Sequence, residues 1–236
     1  MQIVANVVSP FTAESQPAAV EVRDGRIARI SPHAGPLSTF VLPGFVDAHV
    51  HIESSMLVPS ACARLAVAHG TVATVSDPHE IANVLGVAGV HYMAENARNS
   101  PFTFWWGAPA CVPATAFETA GAAVTAANVD ALFEAGVCKY LSEVMNFPGV
   151  LAGDPELLAK LSAAQRRRLP IDGHAPGLAG QAATRYFSPT TAITTDHECV
   201  ALDEALHKIE CGAHILIREG SAAKNFDALR DLLLTH

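Results

Sequence analysis

The chain has 236 residues, half of them apolar and 16% charged, a composition that supports a large buried core and excludes a disordered segment. Its 15 Lys and Arg against 23 Asp and Glu give a net charge of −8, which repels the phosphates of nucleic acids. Because no apolar run approaches the ~18–20 residues of a membrane span and the first residues lack the order of a signal peptide, we expect a cytoplasmic protein that binds neither nucleic acid nor membranes.

The first predicted elements form a small β-rich module over residues 1–42. β-Branched and alternating residues at 2–8 and 18–30 predict strands. Within the second segment, Asp24-Gly25 separates two alternating stretches, and this dipeptide is typical of a two-residue hairpin turn. We therefore predict a hairpin at this turn.

After this module, residues 43–236 repeat one pattern seven times. Each repeat is an apolar, strand-like run, nearly every run ends in ionisable residues, and successive runs lie about 22 to 35 residues apart. The runs are FVDAHVHIE, TVATVSDPHE, FTFWWGAPA, CKYLSEVMN, LPIDGHAP, TAITTDHE and AHILIREGS. Stretches with helical spacing lie between them, as at 124–133, 155–168 and 202–209. This alternation predicts an α/β fold.

Parallel strands that alternate with helices form either a (β/α)8 barrel or an open, doubly wound sheet. The sequence has none of the glycine-rich phosphate loops that favour the open sheet. Polar residues at the strand ends favour the TIM barrel, whose active site is built from the carboxyl ends of its strands. Only seven units are found, and the 17 residues after Glu219 suffice for one helix at 223–234. We therefore expect an incomplete barrel, either a fragment or a naturally shortened form of a larger enzyme.

The five cysteines are widely scattered and form no CxxC pair, so we expect reduced thiols and no cysteine-bound zinc. The H-x-E and P-C-x-x-C signature of the small zinc-dependent nucleobase deaminases is also absent. Metal chemistry in this chain therefore has to come from histidines and carboxylates.

The candidate site begins at His49 and His51. If their run is a strand, both imidazoles lie on one face, where two neutral imidazoles can hold a divalent metal. Glu143, His174 and His197 stand at the ends of three later runs. Because strand ends meet at one edge of a barrel, these five residues predict the ligands of two metal ions.

Seven segments resemble the adenine deaminases of the metal-dependent amidohydrolase superfamily. They are LPGFVDAHVHIESSM, HGTVATVSDPHEIANVLG, GAPACVPAT with FETAGA, YLSEVMNFPGVL, IDGHAPGLAG, TDHECV and IREGSAAKNF. The first segment alone indicates only the superfamily, whereas SDPHE, EVMNFPGV and IREGSAAKN are much more specific. The resemblance extends from about residue 3 to the end of the chain.

The resemblance implies a (β/α)8 barrel flanked by a small β-sandwich, to which residues 1–42 would belong. It implies the reaction adenine + water → hypoxanthine + ammonia, a step of purine salvage, with metal-activated hydroxide attacking C6. It also implies a binuclear centre of Mn²⁺ or Fe²⁺, with Zn²⁺ as the alternative. We expect a small-molecule purine as substrate and a homo-oligomer in the complete enzyme.

Matched by motif, His49 and His51 bind the more buried metal ion, and His174 and His197 bind the second. Glu143 bridges the two ions. It takes the place that a carboxylated lysine fills in many members of the superfamily, so a bridging negative charge is kept.

Catalytic roles are expected of Glu143, His197 and Glu219. Lys139 would need carboxylation and a different register to replace Glu143 as the bridging group. In the superfamily an aspartate at the end of strand 8 binds the buried metal and shuttles a proton, and no such position is found in this sequence. Asp196 or Glu219 would have to do its work in an active chain.

Asp77, His79 and Glu80 follow the second run and are predicted to line the purine pocket or to hold the metal ligands. In the alternative interpretation Ser76 and Asp77 only cap the next helix.

Arg218 and Glu219 follow the seventh run, where a buried pair would hydrogen-bond purine ring nitrogens or form a structural ion pair. Glu118 is a candidate for orienting a loop over the site, and Trp105 and Trp106 are expected to pack in the barrel wall. The remaining histidines match no ligand position: His33, His69, His91, His207, His214 and His236.

Two other functions stay open. The same ligands would serve an amidohydrolase that acts on a cyclic amide, or the chain is a catalytically silent remnant. Seven units leave two strand edges unpaired, and buried backbone groups without partners are destabilising. We therefore expect the isolated chain to be poorly soluble or oligomeric and to show no measurable adenine deamination.

Overall fold

The computed structural model describes residues 1–115 and 117–235. It contains two compact units, Met1–Phe45 and Val46–His236. The first unit holds one four-stranded sheet with the strand order β3-β2-β1-β4. Its strands are β1 (Gln2–Val8), β2 (Ser15–Arg23), β3 (Arg26–Pro32) and β4 (Phe40–Val41).

The predicted hairpin joins β2 to β3. Arg23 pairs with Arg26 in antiparallel register, so Asp24 and Gly25 form a two-residue connection. Both connecting residues have positive φ, 50° and 72°. This is the backbone of a type I′ turn, which Asp and Gly adopt more readily than other residues. The buried apolar side chains of this sheet are Ala5, Ala18 and Val20.

The second unit contains seven strands within the part of the chain that the structure describes, one in each predicted run. They are β5 (Phe45–Val50), β6 (Thr71–Ser76), β7 (Thr103–Pro109), β8 (Tyr140–Val144), β9 (Ile171–Gly173), β10 (Thr195–Asp196) and β11 (His214–Ile215). β5 to β9 form one sheet in chain order, and β10 pairs with β11. The pairings β6–β7, β7–β8, β8–β9 and β10–β11 are parallel.

A backbone hydrogen bond continues this order from one sheet to the other. The N–H of Thr194 donates to the carbonyl oxygen of Ile171 over 3.2 Å, which places β10 beside β9. The seven strands therefore follow one another in chain order around a curled half-barrel. This confirms the predicted α/β fold of the (β/α)8 type.

Helices connect the strands, as the spacing predicts. They are α1 (Pro59–Ala68), α2 (His79–Leu85), α3 (Val87–Ala97), α4 (Ala126–Glu134), α5 (Phe147–Ala152), α6 (Pro155–Arg166), α7 (Gly180–Tyr186), α8 (Leu202–Glu210), α9 (Phe226–Leu229) and α10 (Leu232–Thr235), with a 3₁₀ turn at Ile52–Ser55. α6 begins as predicted, because the Asp154 carboxylate accepts from the N–H groups of Glu156 and Leu157. None of the helices described is long and apolar enough to span a membrane.

The predicted helix at 223–234 is wrong as a single element, since two short helices, α9 and α10, occupy this range. The first begins only after Asn225. The side chain of Asn225 accepts from the N–H of Arg218 and donates to the carbonyl of Cys199. It is therefore committed to two loops and does not continue a helix.

Alternation along β7 separates its two tryptophans. Trp106 is 4% exposed and stacks on Phe104 with 5.3 Å between ring centroids, so it packs among the buried apolar residues as predicted. Trp105 points to the opposite face of the strand. There it lines a cavity of about 360 Å³ whose wall also includes Tyr140 and Asp172.

Candidate metal centre

The first two histidines lie at the carboxyl end of β5. In an extended strand, residues two apart project from the same face, and the ring centroids of His49 and His51 are 4.9 Å apart. Their side chains are 6% and 19% exposed. The Nδ1–H of His51 donates to the carbonyl oxygen of Asp77 at 3.0 Å, which leaves Nε2 of this ring for the cluster.

Glu143 lies at the centre of the cluster. It belongs to β8, whose five residues are all buried, as in a central strand of a parallel sheet. Its Oε1 lies 2.8 Å from His51 Nε2 and 3.0 Å from His49 Nε2. Its Oε2 lies 3.1 Å from His174 Nδ1. The two oxygens of one carboxylate thus face imidazoles from two different strand ends.

The other two histidines follow β9 and β10. His174 Nδ1 lies 3.2 Å from His197 Nε2, which in turn lies 3.5 Å from Glu143 Oε1. The ring of His197 stacks on that of His49, with 3.7 Å between centroids. The fold therefore brings the five residues predicted as metal ligands into one cluster.

Charges in the cluster shift one another's pKa values. Burial alone would raise the pKa of Glu143, but three imidazoles, first that of His174, lower it well below its usual range. Burial opposes protonation of His51, yet the Glu143 carboxylate raises the pKa of His51 to about 10, and it raises the pKa of His174 in the same way. His197 stays neutral, because burial and the nearby His49 lower its pKa to about 2.

The geometry of the cluster suits a cation. Within the described residues, His49 Nε2 and Glu143 Oε1 are buried without a hydrogen-bond partner, although they lie 3.0 Å apart. Imidazole nitrogens and carboxylate oxygens are the donor set that Mn²⁺, Fe²⁺ and Zn²⁺ accept. Such atoms form three groups, and within each group they lie within 4.8 Å of one another. The groups are His51, Asp77, His79 and Glu143; His49, Glu143 and His197; and His174, His197 and Glu198. The residues present therefore fit divalent metal.

Two carboxylates of the cluster escaped the sequence analysis. Glu198 Oε1 lies 3.5 Å from His197 Nε2 and 3.8 Å from His174 Nδ1. Asp172 lies beneath the rings, with oxygens 3.7 Å from His49 Nδ1 and 3.9 Å from His197 Nδ1, and burial raises its pKa to about 7. Both stand within two positions of a predicted ligand, so closeness in sequence was the available signal.

The SDPHE segment lies beside His51. The carboxylate of Asp77 accepts from His79 Nδ1 at 2.9 Å, and the ring of His79 meets that of His51 edge-on, with 4.6 Å between centroids. Glu80 points elsewhere and accepts from the hydroxyl of Ser54 at 2.7 Å. Asp77 and His79 therefore border the cluster, whereas Glu80 supports a neighbouring turn.

The capping alternative for this segment is wrong. The Ser76 hydroxyl pairs with that of Thr74, and the Asp77 carboxylate is turned to a ring instead of to the backbone of α2. In the first turn of α2, the N–H of Ile81 instead donates to a carboxylate from another segment, Glu53 Oε1, at 3.2 Å. The acceptor is distant in sequence, so local patterns could not reveal it.

The predicted buried pair of Arg218 and Glu219 is also wrong. Arg218 donates to the Glu198 carboxylate, and both side chains are 21% exposed. The backbone of Glu219 forms an antiparallel β-bridge with that of Lys224. In such an extended segment neighbouring side chains point to opposite faces, so Glu219 points away from Arg218. Its side chain is 57% exposed and its carboxylate lies 3.7 Å from Lys224 Nζ. Arg218 thus reaches the cluster through Glu198, whereas Glu219 faces solvent.

Other candidates lie outside the cluster. Lys139 precedes β8 at the amino end of the strand, opposite to Glu143. Glu118 is exposed and accepts from the N–H of Ala114 in its own loop. The chain's last residue, His236, lies outside the described residues. Five further histidines belong to none of the groups of potential ligands in the described ranges: His33, His69, His91, His207 and His214.

One buried hydroxyl fixes the backbone of a ligand. Tyr186 is fully buried, donates to the carbonyl of Val144 at 2.7 Å and accepts from the N–H of His174 at 3.1 Å. We expect Tyr186→Phe to lower the free energy of unfolding by about 1–3 kcal/mol, because two buried backbone groups lose their partner. Urea unfolding of the metal-free chain measures this loss.

The matched control for this substitution is Tyr92→Phe on α3, because Tyr92 is 51% exposed. Its free energy of unfolding should change by less than about 0.5 kcal/mol. Equal stability of the two variants would contradict the role assigned to the Tyr186 hydroxyl.

The chain is similar in sequence to proteins that are named adenine deaminase. The chain is 56% identical over 233 residues to an adenine deaminase of Sulfurovum sp. (strain NBC37-1), an alignment that covers 99% of the chain and 43% of the relative. An adenine deaminase of Salinibacter ruber is 54% identical over 231 residues, which are 98% of the chain and 42% of the relative. The chain thus spans less than half the length of these relatives.

Solved structures match in fold. A 5-methylcytosine deaminase from Klebsiella pneumoniae liganded with 5-fluorocytosine has a TM-score of 0.55 at 15% identity and covers 99% of the chain and 72% of its own. An N-isopropylammelide isopropylaminohydrolase from Burkholderia multivorans has a TM-score of 0.51 at 16% identity, with 92% and 74% covered. Residues 40–233 match the model of the amidohydrolase family. Since that match takes in most of the sequence, including the strand ends that carry the five predicted ligands, the chain belongs to the amidohydrolase family.

Proposed function

We propose that the chain forms the metal-binding part of an adenine deaminase, which hydrolyses adenine to hypoxanthine and ammonia. The observation that carries the proposal is one buried carboxylate, Glu143, in contact with four imidazoles at the carboxyl edge of a parallel sheet. Adenine as substrate is supported by the name of the two relatives that are 56% and 54% identical.

In this proposal Glu143 would help to hold two ions. His49 and His51 would hold one ion, and His174 and His197 would hold the other. Glu143 Oε1 contacts His49, His51 and His197, and its Oε2 contacts His174. A bound pair of divalent ions would supply water whose pKa is lowered toward ~7, and so a nucleophile near neutral pH.

The chain's own groups then orient the substrate. Asp77 fixes the ring of His79 beside the cluster, where His79 can hydrogen-bond a purine ring nitrogen. Arg218 and Glu198 form an ion pair next to His197, and the free N–H groups of the guanidinium suit the acceptor nitrogens of a purine. Catalysis by Glu219 stays a prediction that its exposed position does not support.

The finer properties belong to the same proposal. A carboxylate bridge with imidazole ligands suits Mn²⁺ or Fe²⁺, with Zn²⁺ as the alternative, and elemental analysis of the purified chain identifies the ion. Purine salvage, a cytoplasmic location and a homo-oligomeric complete enzyme also stay predictions.

The test measures ammonia release from adenine and, by chromatography of the ring-opened products, hydrolysis of the cyclic amides dihydroorotate and hydantoin, which release no ammonia. The Mn²⁺-loaded chain is assayed alone and mixed with the remaining residues of the Sulfurovum relative, because the chain spans only 43% of that protein. We expect no turnover by the chain alone and turnover of adenine by the mixture. A chain with His49→Asn and His51→Asn serves as the control and should leave the mixture inactive.

Two other outcomes would assign the chain a different function. Turnover of a cyclic amide without turnover of adenine would place the chain with another amidohydrolase activity. A mixture that binds Mn²⁺ and turns over nothing would indicate a catalytically silent chain.

A further inference from the structure

Lys208 is a lysine without solvent contact. It lies on α8, and its side chain is 0% exposed. Lysines are rarely fully buried in proteins unless they are paired. The ammonium donates to the carbonyl of Ala175 at 2.6 Å, to Asp196 Oδ2 at 2.9 Å and to Glu204 Oε1 at 2.7 Å. These three acceptors use all three of its N–H groups. We refer to Lys208, Asp196, Glu204 and Ala175 as the Lys208 cluster.

Two of the three acceptors, Ala175 and Asp196, adjoin the later pair of histidines. Ala175 is the residue after His174, in the loop that follows β9. Asp196 is the residue before His197, at the end of β10. One ammonium group therefore joins two residues, Ala175 and Asp196, that each adjoin a proposed metal ligand in sequence.

The carboxylates of the cluster extend this connection. Glu204 Oε1 also accepts from the N–H of Gly177 at 2.8 Å, and its Oε2 accepts from the N–H of Val200 at 3.4 Å. Asp196 Oδ1 accepts from the N–H of Glu198 at 2.7 Å. The loops that follow β9 and β10 thus donate backbone hydrogen bonds to carboxylates that pair with Lys208.

Burial of these charges is costly, and an apolar side chain of similar size would fill the space without that cost. The charges are therefore better explained by what they connect than by the stability that they add. The chain contains a natural comparison in Lys160, which is also buried and donates to the carbonyl of Ala110 at 2.8 Å. Ala110 follows β7, whose end carries none of the proposed ligands.

We propose that Lys208 is a positioning residue that sets the separation of His174 and His197 and so controls the affinity of the metal position that these two histidines form. The inference rests on the proposed metal centre. It predicts a defect in one of two metal positions, because the Lys208 cluster contacts neither His49 nor His51.

The test is titration of the full chain with Mn²⁺ by calorimetry. In Lys208→Met, the apolar side chain leaves both loops without their common donor, and we expect the second equivalent of Mn²⁺ to bind about 10- to 100-fold more weakly, as for other groups that orient ligands. The first equivalent should bind as in the wild type. Electron paramagnetic resonance provides a second readout, since the signal of two coupled Mn²⁺ ions should give way to that of a single ion.

Lys160→Met is the matched control. It removes from α6 a buried ammonium that donates to a loop without proposed ligands. It should therefore lower the melting temperature while both equivalents of Mn²⁺ bind unchanged. If Lys208→Met also binds both equivalents as the wild type does, the inference is overturned and the metal centre stands. A wild type that binds no Mn²⁺ would overturn both.

A second variant covers the case in which Lys208→Met does not fold. Glu204→Gln keeps the size of the side chain but removes one charge from the Lys208 cluster. We expect about tenfold weaker binding of the second Mn²⁺, at the lower end of the range for ligand-orienting groups. Unchanged affinity in a folded Glu204→Gln variant would overturn the inference.

Discussion

Replacing Glu143 by Gln is expected to lower the affinity for divalent metal at least about 100-fold, beyond the effect of losing a group that merely orients a ligand. The amide keeps the size of the side chain but loses the negative charge that faces His49, His51 and His174. It also places an N–H₂ group where an imidazole nitrogen or a metal ion needs an oxygen. Any adenine deamination by an active assembly should fall by orders of magnitude.

Elemental analysis after loading with Mn²⁺ and desalting measures this effect, and circular dichroism shows whether the variant is folded. The control is Glu95→Gln, because Glu95 pairs with Arg98 on the exposed surface, with both side chains about 70% exposed. That variant should retain metal as the wild type does. A folded Glu143→Gln chain with full metal content would refute the bridging role.

Metal binding is expected to release protons even above neutral pH. An ordinary imidazole loses its proton near pH 6.5, but the Glu143 carboxylate raises the pKa of His51 to about 10 and also raises that of His174. Both rings must lose a proton before they bind metal, whereas His197 is already neutral. The apparent affinity should therefore rise with pH up to about 10, and acid should release the metal.

Calorimetry at pH 7.5 in two buffers of different ionisation enthalpy counts the released protons. Binding without proton release would contradict the raised pKa values. His69→Ala removes an exposed histidine outside the cluster and should leave the count unchanged.

The raised pKa of His51 also makes the stability of the metal-free chain depend on pH. Because the folded state raises the pKa of His51, protonated His51 stabilises the folded state below pH 6.5, and this contribution is lost as the pH rises from 6.5 to about 10. Urea unfolding in the presence of a chelator should therefore show stability falling over this range. Constant stability between pH 6.5 and 10 would contradict the ion pair of His51 with Glu143.

The sequence by itself determined the order of strands and helices in the second unit. Apolar runs must be buried and their spacing leaves room for a helix between them, so β5 to β11 each appear inside a predicted run. Local chemistry fixed the turn at Asp24-Gly25 and the start of α6 at Asp154 in the same way. The sequence could place the five predicted ligands near one another because each stands at or near the carboxyl end of a strand, and their role as ligands stays a prediction.

Contacts between segments distant in sequence were decided only by the tertiary structure. Nothing local indicates that Arg218 turns to Glu198 instead of Glu219, or that Glu53 serves the first turn of α2. Lys208 looks like a surface residue of an amphipathic helix, yet the fold buries it against Asp196 and Ala175, 12 and 33 positions earlier. Strand ends converge only once the sheet has curled, and no periodicity in the sequence encodes that convergence. It sets the distances between the four imidazoles and Glu143, and burial beside one another shifts the pKa values of Glu143, His51, His174 and His197.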